Sequence, residues 1–213
     1  NMRMKEKKNS LAILADSIKF VLVGTTHPGN IGASARAMKN MGLSRLSLVT
    51  PKDFPNDVAF YRAKAAQDVL ENAEIEKDLF SATKNCQLII GTSARSRKVP
   101  WPVVTPKDAA QEIVKYARSG PDDVAIVFGR EDRGLTNEEL GMCNLHVHIP
   151  TDESYSSLNL SQAVQILSYE VRLAMLEETS TNSKLEWDVD LANNDQTERL
   201  IFCLLYTSDA ADD

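Results

Sequence analysis

An α/β fold with an open, mostly parallel sheet is predicted by three observations. Four short apolar runs punctuate the first two thirds of the chain: Phe20–Val23, Leu46–Val49, Leu88–Ile90 and Val124–Phe128. They are rich in β-branched or aliphatic residues, lack clean alternation and are bounded by turn residues, as strands buried on both faces are. Helical patterns lie between them, and alternation of strand with helix builds parallel sheets. At 213 residues, with 43% hydrophobic and 25% charged residues, the chain suits one sizeable domain plus an appendage.

The elements read as follows. Residues 1–16 carry a basic stretch and a short apolar patch, Leu11–Ala15, and are expected to be a ragged N-terminal extension. That patch is too short for the core of a secretory signal. The domain proper is expected over 17–176. After the first run, Asn30 is expected to cap a helix that turns Ile31, Ala35 and Met38 inward and is stopped by Gly42. Asp108–Arg118 reads as a second helix, ended by Ser119-Gly120-Pro121. Thr136 to Glu139 is a capping-box pattern, followed by a small strand around His146–Ile149. A long helix from Asn159 to Leu176 is expected to bury Leu160, Ala163 or Val164, Leu167, Val171 and Ala174.

Residues 177–196 turn polar and acidic and read as a linker, and 197–202 could open a further helix. The last stretch, Cys203–Asp213, reads as an in-frame translation of a sequencing adapter and is set aside from the fold. No apolar run approaches the roughly 18 residues needed to span a bilayer. Cys86, Cys143 and Cys203 form no CxxC pair, which fits a reducing, cytoplasmic setting. The formal net charge of −6 argues against a nucleic-acid partner, but the three aspartates of the tail account for half of it. Cations also cluster locally, at Arg62/Lys64 and at Arg95/Arg97/Lys98.

Three polar segments follow apolar runs. His27–Arg36 succeeds the first, and Gly29 and Gly32 there could let a ligand approach backbone N–H groups at a helix start. The spacing is not GxGxxG, so a dinucleotide fingerprint is poorly supported. Arg36 suits a phosphate contact, although alone it reads more simply as a solvated helix arginine. Phe128–Leu135 follows the fourth run at a position where open α/β sheets bind ligands; its charges could equally form a surface salt-bridge cluster. Ile149–Leu160 could offer hydroxyl and backbone hydrogen bonds to a neutral heterocycle, or simply cap the long helix. His146 and His148 share a strand face but have no third ligand nearby, so no metal is expected. Cys143 reads as a small buried hydrophobe, and Trp101, between two prolines, as a base-stacking or a packing residue.

Taken in order, the segments resemble the SPOUT superfamily of TrmH-like RNA 2′-O-methyltransferases, whose motifs are NxGxxxR, GxExxG and SLNxS. Here they are Asn30–Arg36, Gly129–Gly134 and Ser157–Ser161. Within it the chain is similar to the TrmJ type of tRNA-modifying enzymes, through GTSARSRKVPWP (Gly91–Pro102), FGREDRGLTNEEL (Phe128–Leu140) and YSSLNLSQAVQILSYEVRLA (Tyr155–Ala174). The resemblance covers about Lys19 to Met175.

The resemblance implies a C-terminal trefoil knot, which no sequence pattern could show. It implies S-adenosylmethionine as cofactor, held by Thr92, Ser93, Ala94, Gly129, Ile149, Ser156, Ser157 and Leu158. It places Arg36 at the ribose 2′-hydroxyl, with Asn30 and Asn159 fixing the ribose and Glu131 bracing Arg36 or the loops. Since a guanidinium offers donors and no acceptor, Arg36 is expected to orient the hydroxyl rather than abstract its proton. Arg36, Arg95, Arg97 and Lys98 would bind RNA. A homodimer, a helical C-terminal extension cut off after Phe202, and tRNA cytidine or uridine 32 as target complete the expectation. The rivals are an rRNA or other tRNA position, and a non-catalytic RNA-binding relative.

Overall fold

The structure, a computed structural model, describes residues 2–93, 102–117 and 123–179. All of these fall in one compact unit spanning 1–181. The acidic linker, the start of the further helix and the adapter-like tail lie outside the described residues, as do Ala94, Arg95, Arg97, Lys98 and Trp101.

The apolar runs become strands because both of their faces are covered. Strand β1 (Ile18–Val23) is buried along its whole length. Ile18, Phe20 and Leu22 enter one core, whereas Val21 and Val23 enter another on the opposite face. β2 (Arg45–Val49), β4 (Leu88–Thr92) and β6 (Val124–Phe128) are the other three runs. Three short strands join them: β3 (Glu74–Glu76), β5 (Val103–Val104) and β7 (Leu145–Val147). Among the described residues the sheet has the order β3-β2-β1-β6-β4-β7-β5 with every pairing parallel. At its centre Phe20 and Phe128 stack with ring centroids 5.8 Å apart.

The larger core is covered by α1 (Met2–Asp16), α2 (Pro28–Asn40), α3 (Asp57–Ala63), α4 (Gln67–Glu71), α6 (Pro106–Tyr116) and α8 (Leu160–Thr179). The smaller is closed by α5 (Leu79–Thr83) and α7 (Asn137–Gly141). α8 buries Leu160, Val164, Leu167, Val171 and Ala174, the expected stripe.

Several expectations need correction. The N-terminal segment is not ragged: it forms α1 and buries Leu14 and Ala15. The cap of α2 is His27, not Asn30, because Pro28 supplies the first helical residue and leaves Asn30 inside the first turn. α6 starts at Pro106, with the Thr105 hydroxyl accepting from the Asp108 N–H, rather than at Asp108. The small C-terminal strand ends at Val147, short of Ile149. The capping box at Thr136 and Glu139 is present as expected.

Gly32 does not open a ligand site. A Cβ there would lie 2.0 Å from the Ala59 carbonyl oxygen, so the residue allows α2 to seat against α3. Gly32→Ala is therefore expected to cost about 3 kcal/mol, as overpacking against unyielding backbone does. For a domain of this size that is a melting-point drop of about 6–12 °C, readable by calorimetry.

Candidate active site

The three motif segments meet at the carboxyl end of the sheet. Glycine at position 24 ends β1 with φ +59, and the chain turns there into α2. The carboxylate of Glu131, after β6, reaches into this turn. It accepts from the backbone N–H of Thr26 (3.1 Å) and of His27 (3.2 Å), from the Thr26 hydroxyl (3.0 Å) and from the Asn30 amide (3.0 Å). A negative charge is thus seated at the positive end of α2. Burial by itself raises the Glu131 pKa, but donation from Asn30, Thr26 and His27 outweighs it and holds the carboxyl at about 2.

The relay continues into the third segment. Asn159 donates to the Asn30 side-chain oxygen at 3.1 Å, and its own oxygen accepts from the Ser161 N–H at the start of α8. Glu131, Asn30 and Asn159 are therefore one hydrogen-bonded chain linking three loops. Glu131 braces the loop before α2 and does not touch Arg36. Arg36 is exposed on α2 and has no ion-pair partner among the described residues. With Asn40, Gln162 and Gln165 it lines an open depression of about 360 Å³ between α2 and α8.

A cavity of about 410 Å³ opens beside the relay, within the range of small-molecule sites. Thr92, Ser93, Gly129, Ile149, Ser156, Ser157 and Leu158 all line it; Ala94 is outside the described residues. Val147, Leu135 and Leu160 give it an apolar wall, while Glu131, Asp132 and Arg133 add charges of both signs. Thr92 is partly committed, its hydroxyl donating to the Val127 carbonyl at 3.0 Å. Gly129 contributes backbone only: a Cβ there would lie 2.2 Å from the Gly134 carbonyl carbon and 2.3 Å from the Leu135 nitrogen. The loop closes on itself through paired backbone bonds between Arg130 and Gly134.

Sequence reading missed the clamp on this loop. Arg130 makes a two-pronged ion pair with Glu139, both contacts 2.9 Å, and Glu139 also closes the capping box of α7. Gly24 makes room for it, since a Cβ there would sit 2.8 Å from the Arg130 Nε. The capping-box pattern and the glycine ending a strand were the available signals.

The histidines are used structurally. Buried His146 meets the Leu140 carbonyl through Nε2 at 3.0 Å, and His148 meets the Ser93 carbonyl through Nδ1 at 3.2 Å. Cys143 is buried against Gly91, and burial pushes its thiol up to about 12, so it is inert as a nucleophile.

The Glu131 arrangement predicts a pH signature. Its carboxyl titrates near 4.5 when unfolded and about 2 when folded, so its stabilisation is complete above about pH 4.5 and fades as pH falls toward about 2. Glu131→Gln puts an N–H among donors and is expected to lower the melting temperature at neutral pH. The gap from the unmodified protein should narrow as melts are repeated from about pH 5 to about pH 3.

Comparison with known proteins agrees with this geometry. The SpoU rRNA Methylase family model matches residues 17–169. The tRNA (cytidine/uridine/adenosine-2′-O-)-methyltransferase TrmJ of Pseudomonas aeruginosa is 50% identical over 173 residues, covering 81% of this chain and 67% of that protein. The chain spans about two thirds of the length of the curated relatives it matches. A probable methylase family protein from Haemophilus influenzae superposes with a TM-score of 0.73 at 41% identity, over 91% of this chain and 78% of that one. The SpoU methyltransferase AviRb from Streptomyces viridochromogenes, solved with the cofactor AdoMet, shares the fold at 19% identity and a TM-score of 0.62, over 76% of this chain and 62% of its own. With the family model covering most of the described unit, the chain belongs to the SpoU methylase family and is a methyltransferase.

Proposed function

We propose that this protein transfers a methyl group from S-adenosylmethionine to a ribose 2′-hydroxyl of tRNA, in the anticodon loop at cytidine or uridine 32. The observation that carries the reading is the junction of the cavity with the Glu131–Asn30–Asn159 relay, beside an exposed arginine. The cavity suits the cofactor chemically: an apolar wall for a heterocycle, hydroxyls and backbone for its edges, and charges of both signs for a zwitterionic amino-acid end. Thr92, Ser93, Gly129, Ile149, Ser156, Ser157 and Leu158 would hold it, with Ala94. When bound, it supplies a methyl group already activated as a sulfonium.

The protein's own work is alignment. Glu131 fixes the loop before α2 and orients Asn30; Asn30 and Asn159 then present a rigid amide pair to the ribose. Arg36, a donor without acceptor capacity, orients the 2′-hydroxyl and an adjacent phosphate, and the hydroxyl proton leaves to another acceptor or to water. Arg95, Arg97 and Lys98 extend the phosphate contacts. A second copy of the chain completes the site, the loops take the knotted path, and the enzyme works in the cytoplasm. The insertion of β7 between β4 and β5, both earlier in the chain, supports such a path.

The test is methyl transfer from labelled cofactor to tRNA transcripts carrying each base at position 32, followed by nucleoside mapping, with light scattering for the dimer. A 2′-O-methyl pyrimidine at that position is expected. Because the family description names rRNA, an rRNA arm belongs in the assay, and label appearing there alone would overturn the tRNA reading.

A further inference from the structure

The short helix α3 ends at Ala63, and Lys64 then adopts φ 55 and ψ −122. Glycine enters this conformation freely, whereas a lysine enters it against steric resistance, and such strain concentrates at functional positions. Its consequence here is visible: Nζ of Lys64 stands 3.8 Å from the centre of the Tyr61 ring. That ring is 68% exposed. Between the two lies Arg62, also exposed. Neither cation has a carboxylate partner among the described residues, and Asp68, a few residues on, is already held by Lys39 at 2.6 Å. Two cations without a carboxylate partner among the described residues and an exposed aromatic are thus grouped on a chain whose net charge is negative.

The group adjoins the candidate active site. The stem of Arg62 packs on the first turn of α2, where a Cβ at Gly29 would meet its Cγ at 3.8 Å. The next residue is Asn30 of the relay. A strand lying over the relay would therefore come within reach of Arg62.

We propose that Tyr61, Arg62 and Lys64 form a landing platform for the tRNA strand flanking the target nucleotide. A base stacks on Tyr61, whose ring is made more attractive by Lys64, while Arg62 and Lys64 hold successive phosphates. Such contacts fix register without reading sequence. The platform rests on the tRNA reading above.

The test uses the 213-residue chain, with tRNA affinity measured by fluorescence anisotropy at several salt concentrations. Lys64→Gly keeps the backbone at ease, so this variant is expected to fold at least as well as the unmodified protein. In Tyr61→Ala and in Arg62→Ala/Lys64→Gly, the Kd for tRNA is expected to rise about tenfold or more, with KM for tRNA rising alongside and S-adenosylmethionine affinity unmoved. The slope of log affinity against log salt should flatten by a little under one for each cation removed. Lys64→Arg should restore most of the affinity. Unchanged tRNA affinity and slope in folded variants, with methylation by the unmodified protein intact, overturn the platform alone. Failure of the unmodified protein to bind or methylate tRNA overturns both readings. Dissociation of a dimer in the variants would make this face a contact between copies and equally overturn the proposal.

Discussion

Arg36→Ala is expected to lower methyl transfer to tRNA about a thousandfold while leaving S-adenosylmethionine affinity within a few-fold of the unmodified protein. The split follows from position. Arg36 is exposed on α2, is absent from the lining of the 410 Å³ cavity and lines the separate depression between α2 and α8. Nor does it support the fold, because it makes no ion pair among the described residues. Its removal should therefore leave the melting temperature nearly unchanged, as surface substitutions away from packing features do. Arg36→Lys is expected to recover little, since a point ammonium cannot present two parallel donors to a hydroxyl and a phosphate oxygen. Single-turnover transfer and calorimetric cofactor titration on the same preparations check both halves. Loss of cofactor binding in a folded Arg36→Ala would move the residue into the cofactor site and sink the assignment.

That Arg36 lies apart from Glu131 was not legible in the sequence. What could be read was local: the four continuous apolar runs became the four long strands because each is buried on both faces. β3 escaped because Glu-Ile-Glu is an edge strand whose Ile75 is itself exposed, so it carries neither an apolar run nor a buried alternation. The start of α2 was misplaced because Asn30 was weighed as a cap and the Pro28 signal was not. The site divides in the same way. The residues lining the cavity were legible only through the family resemblance, since periodicity finds where the strands run and not which loop residues meet beyond them. The relay was not legible: Glu131 and Asn30 are 101 positions apart, and only the parallel pairing of β1 with β6 brings their loops together. The role of glycine was likewise misjudged, since Gly32 packs helix on helix, a close approach that sequence cannot distinguish from ligand approach.

Gly129 carries the last expected result, and the structure changes its reason. The resemblance names Gly129 among the residues that hold the cofactor, but a side chain there would strike protein first. Its Cβ would fall 2.2 Å from the Gly134 carbonyl carbon and 2.3 Å from the Leu135 nitrogen, both backbone atoms of the loop that walls the cavity. Backbone cannot swing aside as a flexible side chain does, so even Gly129→Ala must open the loop. Opening it strains the paired Arg130–Gly134 bonds and displaces Arg130 from its two contacts with Glu139. Overpacking of this kind costs about 3 kcal/mol, or a melting-point drop of about 6–12 °C in a domain of this size. Cofactor binding should be lost in Gly129→Ala as well as in Gly129→Val, because the wall itself moves. Arg130→Met separates the two effects: it removes the clamp without forcing the loop apart, so it is expected to weaken cofactor binding less than Gly129→Ala does. Calorimetric titration of all three variants, beside their melting curves, decides the matter. If Gly129→Ala binds cofactor normally and only Gly129→Val fails, the residue acts by clearing space for the ligand and the loop-closure account is wrong.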